Sequence, residues 1–151
     1  MAFIEHEVLQ DPCERYPRIA GAFWRETLID AAIFGEWIVN IGQREAYARA
    51  CHLLCEMMTR MKAVGLAQDQ SCAFPGAQGE LDDAIGISHV YADRTLQEIR
   101  AAGLMRLSNK VLTVLDWEGL KRVGEFDPTY LHQPNGQRAA ADPGSERGAA
   151  S

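Results

Sequence analysis

From Arg18 to Ile41 the chain contains neither a proline nor a turn cluster. Within that stretch Ala20, Trp24, Thr27, Ala31, Phe34, Ile38 and Ile41 recur at alternating intervals of four and three residues. This recurrence is the heptad seam of a long helix. It constrains the fold strongly, because a chain of 151 residues has little else with which to cover such a helix. Two readings are open. The helix packs on its own domain, or it pairs with a second chain through Trp24, Ala31, Phe34, Ile38 and Ile41; the shortness of the chain favours pairing. Tyr16-Pro17 marks the start, since proline suits a first helical turn and disfavours helix in the residue before it. Gly42 is expected to interrupt the helix.

A second helix is expected from about Arg44 to Ala63, with the apolar stripe Tyr47, Ala50, Cys51, Leu54, Cys55, Met58 and Met61 and a glycine stop at Val64-Gly65. Residues 67–77, AQDQSCAFPGA, read as a loop, and helices follow at about 78–85 and 89–102. The period then changes. In LMRLSNKVLTVLD, Leu107, Val111, Leu112, Val114 and Leu115 predict two short strands around Ser108-Asn109. Asp116 is placed to N-cap a last short helix, WEGLKRVG. From Gln133 onward, Gln, Ala, Gly, Pro, Ser and Arg dominate, which supplies no core and predicts a disordered tail.

The helix over 89–102 carries the informative surface. Ala92, Thr95, Leu96 and Ile99 recur at helical spacing and form its inward face, and Ser88 stands where a cap is wanted. His89, Val90, Asp93, Arg94 and Gln97 then point outward. This composition admits a plain solvated face. It also admits base reading, since Arg bonds guanine at two points, Gln does the same with adenine, and Asp accepts from cytosine. The order of elements favours the second: a short helix, a turn at Gly86, a second helix and a hairpin are the parts of a winged helix-turn-helix. Arg106 and Lys110 lie on the hairpin, within reach of phosphates, which position a protein while base contacts specify the sequence.

The runs RACHLLCEMMTRMKAVGL, ELDDAIGISHVYADRTLQEIRAAGL and LTVLDWEGLKRVGEFDP resemble the C-terminal part of Crp/Fnr-type transcription regulators, over roughly residues 3–132. The resemblance implies a mainly α fold: a long dimerisation helix followed by a winged helix-turn-helix with a small β-hairpin wing. It implies a homodimer on double-stranded DNA, each winged helix reading half of a palindromic site. Arg94 matches the family's base-contacting arginine, Ser88 and His89 match the start of its recognition helix, and Val90 and Asp93 share that face. The expected division is 1–17 as the end of an effector domain, with MAFIEHEVL its last strand, 18–42 as dimerisation helix, 43–132 as DNA-binding domain and 133–151 as tail. The family's effector-binding β-roll, often a cyclic-nucleotide site, has no counterpart in these residues, so no response to cyclic AMP is expected. A fragment, a misassigned start and a shortened regulator are all compatible with that.

The first helix of the pair departs from the family. Asp82 replaces a small residue, Gly79 lies inside the helix, Ala77 stands for a threonine cap and Gly76 for an apolar anchor. A mid-helix glycine or a lost cap each costs about 1 kcal/mol, and a buried unpaired carboxylate costs more. A less stable or more weakly binding helix-turn-helix is therefore expected. Charge points the same way. The whole chain carries −6, and residues 76–126 hold six basic against eight acidic side chains, so sequence-indifferent DNA affinity should be low.

Other classes find little support. No apolar run is long enough to span a membrane, and Glu5 and Glu7 in MAFIEHEVLQ oppose a signal peptide, so the cytoplasm is the expected location. In that compartment Cys13, Cys51, Cys55 and Cys72 do not predict a disulfide framework. Cys51-His52-x-x-Cys55 lacks the ligands of a tetrahedral metal site, and both thiols fall on the apolar stripe, so core packing outweighs metal or redox roles. His6 and His132 suggest no special role, while Trp24, Trp37 and Trp117 read as core or interface. No nucleotide-binding or nucleophile motif is found, so neither enzyme, cofactor nor metal is expected. Beside the DNA-binding regulator stands a second class of function, a dimerisation module that pairs with full-length Crp/Fnr relatives and impairs their DNA binding. A remnant of a longer gene is a third.

Overall fold

The computed structural model describes residues 3–74 and 83–133. The expectations on Gly76, Ala77, Gly79 and Asp82, and on all of the tail after Gln133, lie outside these residues. The elements run α1 (His6–Arg15), α2 (Pro17–Gln43), α3 (Ala46–Ala63), β1 (Ala67–Gln68), β2 (Ser71–Ala73), α4 (His89–Ala101), β3 (Met105–Ser108), β4 (Val111–Val114), α5 (Trp117–Gly124) and a 3-10 turn (Pro128–Leu131). The fold is mainly α with a small antiparallel sheet.

α2 begins with Pro17 at its first position and runs past Gly42 to Gln43, so that glycine does not end it. The helix is anchored to the core through its C-terminal part, from Ile33 onward. Ile33 packs on the core, Trp37 is half-buried and Asn40 is fully buried. The seam faces outward: Trp24, Phe34, Ile38 and Ile41 are 68%, 68%, 72% and 57% exposed, and Ala31 is exposed too.

α1 corrects the expected strand. Its apolar residues Val8, Leu9 and Cys13 do not alternate, and i,i+4 pairs, Gln10 with Glu14 and Asp11 with Arg15, support a helix instead. The 67–77 loop is also corrected over its described part. β1 and β2 form a tight hairpin, and β2 pairs with β4 to give a four-stranded sheet in the order β1-β2-β4-β3. Its turn residues Asp69 and Gln70 both take positive φ, at 46° and 63°, and strands this short show no alternation that sequence could reveal. The wing hairpin closes through Asn109 and Lys110, again at positive φ, 52° and 59°.

The core lies between α3, α4, α5 and the sheet. Ala50, Cys51, Leu54, Cys55 and Met58 of α3 meet Leu96 and Ile99 of α4, Leu112 and Val114 of β4, and Leu120 of α5. The α3 stripe read from sequence is this core face. α5 approaches α3 closely enough that a Cβ on Gly124 would lie 2.6 Å from the His52 backbone nitrogen. Asp116 caps α5 as expected, accepting from the Gly119 amide at 2.8 Å.

Candidate nucleic-acid interface

Residues 83–85 are helical and end at Gly86, whose φ of +70° turns the chain toward α4. A left-handed φ at that position favours glycine. Ser88 occupies the N-cap position of α4, but its side chain makes no capping bond. The helical ladder starts at the backbone, with the Ser88 carbonyl accepting from the Tyr91 and Ala92 amides at 2.9 Å. α4 buries Ala92, Thr95, Leu96 and Ile99, the four residues that periodicity assigned inward. The Thr95 hydroxyl is satisfied internally, donating to the Tyr91 carbonyl at 2.8 Å.

The opposite face carries the expected contact residues. His89, Val90, Arg94 and Gln97 are exposed and Asp93 is half-buried. His89 Nε2 lies 3.7 Å from Asp93 Oδ2, one helical turn on. Arg94 Nε donates to Glu98 Oε1 at 3.1 Å, a bond that does not use the two terminal guanidinium nitrogens, and the side chain is 74% exposed. The structure thus gathers His89, Val90, Asp93, Arg94 and Gln97 on one element. Arg106 and Lys110, both exposed, are carried separately by β3 and the wing turn.

One arginine holds the turn before α4 against α3 and a second ties α2 to the end of α5, and sequence reading passed over both. Arg49 of α3 donates from Nη1 to the Ile85 carbonyl at 2.6 Å and from Nη2 to the Arg44 carbonyl at 3.1 Å. The Arg44 side chain reaches Glu36 at 2.8 Å, Asn40 at 3.3 Å and the carbonyl and carboxylate of Glu125, both at 3.3 Å. α2, the start of α3 and the helix-turn-helix turn are therefore joined by charge-assisted hydrogen bonds.

A second buried network lies beside them. Glu56 Oε2 accepts from Trp37 Nε1 at 2.9 Å and from the Tyr130 hydroxyl at 2.7 Å, while Arg60 Nε donates to its other oxygen at 2.8 Å. His52 is fully buried, with Nδ1 3.0 Å from the Gly124 carbonyl and Nε2 3.1 Å from the Tyr130 hydroxyl. The carbonyl can only accept, so Nδ1 carries a proton. Burial lowers the His52 pKa and raises that of Tyr130. Arg49, His52 and Glu56 recur on α3 at intervals of three and four residues, a polar stripe that could have marked these positions.

The thiols behave as core. Cys51 and Cys55 are both fully buried, and burial pushes Cys51 up to about 12 and Cys55 upward as well. All four cysteines are free, and among the described residues no cluster of His, Cys, Asp and Glu has the make-up of a metal site. Among those residues, too, no helix is long and apolar enough to cross a membrane.

Comparison with known proteins gives a consistent picture. The family model of the Crp-like helix-turn-helix domain matches residues 48–123. FixK2 from Bradyrhizobium japonicum superposes with a TM-score of 0.69 at 18% identity, over 80% of this chain and 59% of that one. TTHB099 from Thermus thermophilus, a transcriptional regulator of the CRP family, gives 0.54 at 19% identity, over 82% and 56%. At these identities the likeness is one of fold, and the chain spans under two thirds of either neighbour. No curated protein matches it. The turn at Gly86, the α4 face, the wing and the matched domain agree: the chain belongs to the Crp/Fnr-type family of DNA-binding transcription regulators.

Proposed function

We propose that the protein binds DNA sequence-specifically as a homodimer, pairing through the outward stripe of α2 and reading one half of a palindromic site with each α4. The observation that carries this reading is the outward face of α4, where Val90, Arg94 and Gln97 stand exposed behind the Gly86 turn of a Crp-like helix-turn-helix. Arg94, His89, Asp93, Gln97 and Val90 contact base edges. Ser88, Arg106 and Lys110 hold phosphates. The exposed Trp24, Ala31, Phe34, Ile38 and Ile41 fit a second copy, because a monomer rarely leaves so long an apolar stripe in water.

Selection of the protein on random duplex DNA at low and moderate salt, followed by fluorescence anisotropy, tests this. Enrichment of a two-fold symmetric site that Arg94→Ala no longer binds is the expected result. No enrichment from folded protein at either salt rejects it.

Charge favours a second reading. Arg94 is already paired with Glu98, and the domain over 76–126 has more acidic than basic side chains. Under this reading the chain pairs with full-length relatives and lowers their DNA affinity. Mixing it with such a relative separates the two: heterodimers that lose operator binding support it, and an absence of heterodimers removes it.

A further inference from the structure

Val90 has no structural reason to be apolar. It is 79% exposed, and at 3.6 residues per turn it lies half a turn away from Ile99, in the middle of the core-facing arc. Its β-branch brings no helix-forming advantage over the polar residues available to a solvated face. Its neighbours on the outward arc are Arg94 and Gln97, both exposed and both suited to base edges. Arg94 follows it by one turn, with a side chain 74% exposed and its Nε bonded to Glu98.

We propose that Val90 is a specificity-determining residue that packs on the 5-methyl group of a thymine, so that each half-site places a thymine close to the guanine bonded by Arg94. The inference rests on the DNA-reading function proposed above. In the major groove the thymine methyl is the one apolar group that a base pair presents, and an aliphatic side chain recognises it without a hydrogen bond. Four residues of helix rise about 6 Å, against about 3.4 Å per base step, which puts the thymine within about two base pairs of that guanine. A cytosine at the same position offers an amino donor that a valine leaves unpaired, so the site discriminates against it.

The test uses the full chain and the duplex enriched by selection. Each thymine of the half-site is replaced in turn by uracil, which lacks only the methyl group, and affinity is read by anisotropy. One position is expected to lose about fourfold on replacement, the effect of one buried methyl. Val90→Ser, which removes the aliphatic branch at an exposed position, is expected to keep the fold and the Arg94-dependent guanine preference while binding the thymine and uracil forms equally. A symmetric site whose thymines can all be replaced by uracil without loss overturns this inference and leaves the DNA-reading proposal standing. So does a thymine preference that survives Val90→Ser. An absence of any enriched site overturns both.

Discussion

The Arg49 guanidinium donates a 2.6 Å hydrogen bond to the carbonyl of Ile85, the residue before the turn that launches α4. Ile85 is fully buried, so this carbonyl has no ready substitute in water. Arg49→Ala leaves it and the Arg44 carbonyl unsatisfied, and is expected to destabilise the protein by about 2–3 kcal/mol. Arg49→Lys, which loses the forked geometry, should fall between the two. Urea denaturation of the three proteins checks the order; equal midpoints would mean that the bond contributes nothing to stability.

Acid should weaken the fold through His52. Burial is the largest cause of its lowered pKa and the nearby Arg44 adds to it, while the Gly124 bond and the carboxylates of Glu36 and Glu56 act in the opposite sense. In the unfolded chain an imidazole titrates near 6.5. As pH falls through that value, the unfolded state takes up a proton that the folded state still refuses. Stability is thus fully present at higher pH and declines as pH drops from about 6.5 toward the folded pKa. Thermal melts between pH 8 and 5 should show a falling Tm, and the His52→Gln protein, although less stable, should show a shallower slope across that window. Parallel slopes would assign the effect to other groups.

Gly124 is fixed by packing rather than by backbone freedom. A Cβ there would meet His52 N at 2.6 Å and the Cys51 carbonyl carbon at 2.9 Å, both of them backbone atoms. Gly124→Ala must push α5 away from α3 and is expected to cost about 1–3 kcal/mol. A Tm equal to that of the unaltered protein would show that α5 yields freely.

Ile38 is 72% exposed in the middle of the α2 stripe. Under the homodimer proposal, Ile38→Glu sets two buried carboxylates against one another. Sedimentation should then report a monomer at micromolar concentration, with the helix content of the winged domain retained. A dimer of unchanged strength would move the interface elsewhere.

Thiol labelling gives an independent reading of the core. Cys51, Cys55 and Cys72 are buried and burial raises the pKa of each, whereas Cys13 is only half-buried. An aromatic disulfide reagent at pH 8 should therefore modify Cys13 first in the native protein, and Cys13→Ser should abolish the fast phase. A fast phase that survives this change would show that α3, which carries Cys51 and Cys55, or β2, which carries Cys72, opens.

Much of the fold is legible in the sequence wherever one element decides its own period. The inward residues of α4, the hairpin around Asn109 and the Asp116 cap all follow from spacing within about a dozen residues. Three features escape that logic. α1 contains too few apolar residues to show any period, and β1 and β2 are too short for alternation. The junctions made by Arg44, Arg49 and Glu56 join residues up to 81 positions apart, and no local pattern encodes such pairings. The candidate contact face was legible because polar types on a helix face are read directly. Its orientation was not, because Arg49 and Gly86 set it from outside α4.

The buried junction of Trp37, His52, Glu56 and Tyr130 has a mechanical consequence. It clamps one end of α2, a rod of 27 residues, to the body that carries α4. Such a rod is about 40 Å long, so a swing of about 5° at the clamp carries its far end through roughly 3.5 Å, close to one base step. The stiffness of this junction, together with the Arg44 bonds to Glu36 and Asn40, thus limits the tolerance to which two such bodies, joined along their rods, could be spaced.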